Sequence, residues 1–165
     1  MTRRRSIAVV GSGSAEPHVM ELAHSLGRLI AENGFVLITG GRDAGVMKAA
    51  NEGAKEVADS LTIGILPHAE TEASPAVDVR IVTDMGEARN NVIVNSADAV
   101  IACGTADAGT VSEIALAIKA RKPVIIMCTA DQEVDLFRGL GGELVLTALS
   151  PAEALDLVQD LVPTQ

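Results

Sequence analysis

The residues with the most chemical promise lie between Ala97 and Pro123. A short apolar run, Ala99-Val100-Ile101-Ala102, fits a buried parallel strand; Gly104 breaks it, and Gly109-Thr110-Val111-Ser112-Glu113 opens a helix reaching about Lys119. A helix start placed there offers unpaired N–H groups and the positive end of the helix dipole, which suit a phosphate. Gly104, Thr105, Gly109 and Thr110 are small enough to let such a ligand come close. These residues predict an anionic, nucleotide-like ligand at this turn. Thr110-Val111-Ser112-Glu113 also has the spacing of a capping box, in which the Glu113 carboxylate serves its own helix start. Both readings of Glu113 are open at this level. Asp107 is a carboxylate beside the expected phosphate seat and would repel an anion unless it turns away or meets Arg42 or Arg89.

Two further glycine turns must bring their own groups to the same place. Ser6–Val10 reads as a strand ending in Gly11-Ser12-Gly13-Ser14, followed by a helix with Pro17 in its first turn that stops at Asn33-Gly34. Phe35–Thr39 reads as a second strand, Gly40-Gly41-Arg42-Asp43-Ala44-Gly45 as its turn, and Val46–Ala58, with Val46 and Met47 at its head, as the next helix. Leu61–Leu66 is a third strand and His68–Asp78 an acidic, aperiodic surface loop that could cover a ligand. Val79–Val82 is a short strand, Met85–Ser96 a helix carrying Glu87, Arg89 and Asn90, and Val124–Met127 a further strand. Glu133–Arg138 reads as a short helix, Leu144–Leu146 as a last strand, and Ser150 caps a final helix ending near Leu161.

Alternating strands and helices of this kind predict an α/β protein, a Rossmann-like, doubly wound and mostly parallel sheet with helices on both faces, forming one domain over residues 1–165. In that topology the three glycine turns follow strand carboxyl ends and line one crevice. The candidate ligand-binding residues are therefore Gly11, Ser12, Gly13, Gly40, Gly41, Arg42, Gly45, Val46, Met47 and Asn90, with Gly104, Thr105, Gly109 and Thr110.

Standard nucleotide sites are disfavoured. Gly11-x-Gly13 is followed by Glu16 where the dinucleotide fingerprint needs a third glycine, and the second strand ends in Thr39-Gly40-Gly41 without the acidic residue that holds an NAD ribose. No G-x-x-x-x-G-K-[ST] stretch is present, which excludes a P-loop. Net charge is −9 and the only aromatic rings are Phe35 and Phe137, so both the field and the lack of stacking platforms oppose nucleic-acid binding. No apolar run has membrane-spanning length, and Ile7–Val10 is too short for the core of a signal peptide; a cytoplasmic protein is expected. Cys103 and Cys128 form no CxxC and have no histidine at ligand spacing, so neither a disulfide framework nor a metal site is expected. Cys103 stands at a strand end, as a nucleophile could, and His68 or His18 could touch a ligand.

Gly40-Gly41-x-x-x-Gly45-Val46-Met47, Arg89 on a later helix, Ala97–Ala102, and Gly109-Thr110-Val111-Ser112-Glu113 together resemble the LOG family of the SLOG superfamily. The resemblance covers Ile7 to about Ile126. It implies a nucleoside 5′-monophosphate phosphoribohydrolase, which cuts the N-glycosidic bond to free base and ribose 5-phosphate. Arg89 matches the family's arginine, with Asn90 in place of the following lysine; Gly109, Thr110 and Glu113 match the end of its P-G-G-x-G-T-x-x-E motif, and Cys103–Ala108 departs from the start of it. The implied catalytic pair is Glu113, facing the positive ribose, and Arg89, which would orient the nucleotide or hold the leaving group. Gly109 and Thr110 would bind the phosphate.

Gly86-Glu87-Ala88-Arg89-Asn90 and the compact length look more like a neighbouring branch that includes a molybdenum cofactor carrier. That branch implies the alternative: a non-catalytic carrier or sensor of a nucleotide or a molybdopterin-type cofactor. The resemblance implies no required cofactor beyond a bound AMP-like nucleotide or phosphate. It also implies a homodimer or higher assembly through the apolar helix Glu113–Ala120.

Overall fold

The computed structural model describes residues 3–105 and 107–162. Seven short strands carry runs of small and β-branched residues, the composition of strands buried on both faces. They are β1 (Ser6–Gly11), β2 (Val36–Thr39), β3 (Thr62–Leu66), β4 (Val79–Val82), β5 (Ala99–Cys103), β6 (Val124–Met127) and β7 (Val145–Thr147). All pair in parallel in the order β4-β3-β2-β1-β5-β6-β7, so the sheet is wholly rather than mostly parallel.

Six helices cover it: α1 (Pro17–Glu32), α2 (Gly45–Lys55), α3 (Asn90–Ser96), α4 (Ala108–Lys119), α5 (Asp131–Gly141) and α6 (Pro151–Leu161). Strand side chains alternate between the two layers. Ile7, Val9, Leu37 and Ile101 pack with α1, α2 and α6, whereas Ala8, Val10, Ile38 and Ala102 pack with α3, α4 and α5. The chain therefore winds outward in both directions from the β1–β5 pair, and the carboxyl ends of β1, β2 and β5 open a crevice at the switch point.

Boundaries differ from the sequence reading in three places. The expected helix Met85–Ser96 is a 3₁₀ turn, Gly86–Arg89, leading into α3, which sets Arg89 at a junction rather than on a regular helix face. The predicted Glu133–Arg138 helix extends over Asp131–Gly141, because Val134 and Phe137 give it an apolar face to bury. The helix α4 begins at Ala108, before Gly109, with consequences described below.

Two helical glycines set the packing of α1 on α2. A Cβ on Gly27 would stand 1.9 Å from the Ala50 carbonyl oxygen, and one on Gly53 would stand 1.9 Å from that of His24. The two backbones touch. Beneath them, buried Thr39 and Asn51 exchange side-chain hydrogen bonds while the Thr39 hydroxyl accepts from the Gly41 N–H at 3.0 Å, fixing the turn between β2 and α2.

Candidate functional site

A cavity of about 460 Å³ occupies the switch-point crevice. Four segments build it. The end of β1 and its turn supply Val9 to Ser14; the β2–α2 connection supplies Gly40, Arg42 and Met47; the 3₁₀ turn and the head of α3 supply Glu87, Arg89 and Asn90; the head of α4 supplies Asp107, Gly109, Thr110 and Glu113.

Arg89 and Glu113 are the chemically loaded pair. Arg89 is only 6% exposed; it donates to the Asn90 side-chain oxygen, and Asn90 in turn donates to the Ser112 hydroxyl at 3.0 Å. Its Nε has no partner among the described residues. Burial lowers the Arg89 pKa, the nearby Glu113 and Glu87 charges pull it back up, and Arg42 lowers it again. Glu113 is 7% exposed, and burial pushes its carboxyl up to about 8; Arg89 opposes that rise while Asp107 and Glu87 add to it. Among the described residues neither Arg89 nor Arg42 has a carboxylate within 4.0 Å. A buried guanidinium and a buried carboxyl thus face one cavity without closing on each other.

Residues 4–155 match the model of the SLOG cluster4 family. The chain belongs to that family. The molybdenum cofactor binding protein of the phototrophic bacterium Rippkaea orientalis is 47% identical, with a TM-score of 0.91 over 97% of this chain and 98% of that one. The Moco carrier protein of Chlamydomonas reinhardtii is 41% identical, with a TM-score of 0.92 over 99% and 100%. An uncharacterized protein of Archaeoglobus fulgidus is 46% identical over 118 residues, which is 72% of this chain and 76% of its own.

Within this SLOG cluster4 chain, the start of α4 departs from the sequence reading. The N-cap is Asp107, with extended backbone, and its carboxylate accepts from the Thr110 N–H at 2.8 Å and the Thr110 hydroxyl at 3.2 Å. Burial works against its charge, but hydrogen bonds from Thr110 and Ser12 prevail and hold the carboxyl below its ordinary range. Asp107 thus meets neither arginine; it closes its own helix. Thr110-Val111-Ser112-Glu113 is not a capping box, because Thr110 already lies inside the helix, and Glu113 is freed to face the cavity.

Other candidate residues separate into those that face the cavity and those that shape its walls. Gly11, Ser12, Gly13, Gly40, Arg42, Met47, Asn90, Gly109 and Thr110 line it. Gly40 admits Arg89: a Cβ there would stand 3.0 Å from Nη2 and 2.7 Å from the Met47 sulfur. Gly45 (φ +50°) and Val46 stand behind the lining. A Cβ on Gly45 would meet the Ser12 carbonyl oxygen at 2.1 Å, and one on Gly11 would meet Val46 at 2.6 Å. Gly41 turns toward Gly64 of the sheet. Gly104 and Thr105 are outside the lining, since Gly104 donates back to the Met127 carbonyl at 2.8 Å and Thr105 donates to Glu133 of α5.

Arg89 has no ion pair with Asp84 or Glu87; Asp84 instead faces His68 at 3.2 Å. His18 lies outside the lining, and His68 lines a neighbouring recess with Arg42 and Glu72. Cys103 is buried, which pushes its thiol up to about 12 and removes it as a nucleophile. The acidic loop is strapped to the β2–α2 turn, with Asp43 N–H to Glu72 O at 3.2 Å and Ser74 N–H to Gly41 O at 2.9 Å, beside the cavity rather than over it. Sequence reasoning expected Asp107 to repel an anion unless it turned away or met an arginine, and left Val9, Val10, Ser14 and Glu87 out of the candidate residues. An Asp three residues before a Thr at a helix start was the signal for the cap.

Proposed function

We propose that this chain is a carrier that holds a phosphorylated pterin-type cofactor, molybdenum cofactor being the cargo, and releases it without cleaving it. The observation that carries the reading is the unjoined pair Arg89 and Glu113 on the cavity floor. A pterin presents ring and amino N–H donors beside a carbonyl acceptor on one edge. The Glu113 carboxyl matches the donors of that edge, and the Arg89 guanidinium matches the phosphate at the other end of the ligand, so each would gain the partner it lacks. The similarity to cofactor-binding and carrier proteins of Rippkaea and Chlamydomonas supports the same ligand class.

Two features speak against glycosidic hydrolysis. Breaking the C1′–N bond through an oxocarbenium-like state needs an ionised carboxylate near the ribose, and Glu113 holds its proton up to about pH 8. The start of α4, where the LOG motif places paired glycines, is occupied by the Asp107 cap. A carrier needs only affinity.

The assembly belongs to the same proposal. Met85 is exposed, and with Ala88, Ala115 and Leu116 it borders an apolar groove between the 3₁₀ turn and α4 that a second copy of the chain would cover. The groove shares Glu87, Asn90 and Gly109 with the cavity, so a second copy would border the site.

The test is retention of cofactor and fate of nucleotide in the same preparation. Protein incubated with molybdenum cofactor released from a molybdoenzyme is passed through a desalting column, and bound pterin is read by fluorescence after oxidation. The expected result is pterin carried by the wild type, at least about tenfold less on Arg89→Ala, and no base released from AMP. Base release that vanishes in Glu113→Gln, or no retained pterin, overturns the reading.

A further inference from the structure

The starts of α4 and α2 line or border the cavity, and of these only that of α2 is free to receive an anion. At α4 the Asp107 carboxylate already occupies the seat. At α2 the N-cap is Ala44, which has no side chain to bond the first turn, and that turn contains no acidic residue. The Val46 N–H reaches the Ser12 carbonyl at 3.0 Å, while those of Gly45 and Met47 have no backbone partner among the described residues. Asp43 lies just outside the helix but is paired with Lys48 at 3.2 Å.

An uncapped helix start does not by itself make a site. Here a buried cation stands against it: Arg89, more than nine-tenths buried and with an unpartnered Nε, packs on Gly40 of the same connection. Arg42, two residues before the N-cap, lines the cavity too and lies close enough to Arg89 for the two like charges to oppose each other. Neither has a carboxylate within 4.0 Å among the described residues. Two unneutralised guanidinium groups converging on a helix start is an arrangement that a bound anion completes.

We propose that the phosphate of the ligand sits at the start of α2, between Arg42 and Arg89 and against the Ser12–Gly13 backbone, and not at the start of α4. The ligand then runs from this seat across the cavity, and its heterocycle meets Glu113 on the α4 side. This assignment rests on the reading above for the identity of the heterocycle but not for the place of the anion.

Inorganic pyrophosphate is the probe, titrated into ¹⁵N-labelled protein with the amide signals followed by NMR. The largest shifts are expected at Ser12–Ser14 and Gly45–Met47, with Gly109 and Thr110 moving least. Arg42→Ala should weaken the titration about tenfold, and Ala44→Asp, which gives α2 the cap that α4 already has, should weaken it by a similar factor, with circular dichroism showing both variants folded. Shifts centred on Gly109 and Thr110 would overturn the assignment, as would no response in the millimolar range. Pyrophosphate bound at α2 by a protein that retains no pterin would leave the anion seat standing and remove the carrier reading; the opposite pair of results would do the reverse.

Discussion

The starts of α2 and α4 are built from the same parts and end in opposite states. Each follows a strand of the central parallel sheet, each has a glycine in its first turn, and each lines or borders one cavity. α4 has an ionised carboxylate as its cap, whereas α2 has Ala44 and two arginines. A helix dipole is therefore not a phosphate site by default. What matters is whether the chain has already satisfied it.

The glycines give the sharpest test of that contrast. Gly45 lies at positive φ with the Ser12 backbone where its side chain would be, so Gly45→Ala should cost on the order of 4 kcal/mol in urea unfolding and abolish pyrophosphate binding. Next comes the buried carboxyl of α4. Glu113 binds its proton more tightly folded than unfolded, so wild-type stability should fall as pH rises from about 4.5 to about 8 and level off above. Glu113→Gln should remove that slope, matching wild type below pH 4.5 and exceeding it by roughly 4 kcal/mol at pH 8, as read by thermal melts across pH.

The caps come third and have opposite signs. Asp107→Ala should cost about 1 kcal/mol, while Ala44→Ser, at an extended position suited to a cap, should add roughly 0.5–1 kcal/mol and weaken the anion. Because the folded Asp107 carboxyl titrates below its ordinary 3.8, its contribution is present above that pH and lost as pH falls through the lower folded value. Faster amide exchange at Thr110 than at Val46 on acidification would register it. The smallest effect is expected from Gly109→Ala, within about 0.5 kcal/mol, since its Cβ would meet only the Asp107 side chain at 3.1 Å.

Much of this was legible before the fold was known. Parallel strands buried on both faces announce themselves as short apolar runs, and three glycine turns after such runs imply one crevice. Arg89 and Glu113 were singled out by the resemblance to the LOG family, whose arginine and motif glutamate they match. The cap was not, because Asp107-x-x-Thr110 and Thr110-x-x-Glu113 are both acceptable helix starts, and only the extended backbone of Asp107 separates them. Gly104 and Thr105 fall outside the lining, and the sequence hid this for a related reason: a strand end has two sides, and composition does not say which faces the crevice. Nor could the strap between the acidic loop and the β2–α2 turn be read, since it is made of backbone groups that every residue carries.

The contact of Gly27 and Gly53 with the opposing backbone has a consequence for how the molecule opens. With α1 and α2 touching along their main chains, neither can fray without exposing the carbonyls of the other, so β1, α1, β2 and α2 should exchange amide hydrogens as one cooperative block. The turns at Ser12 and Arg42 belong to that block. The wall they form should thus be ordered before any ligand arrives, which would lower the entropic cost of the capture proposed above.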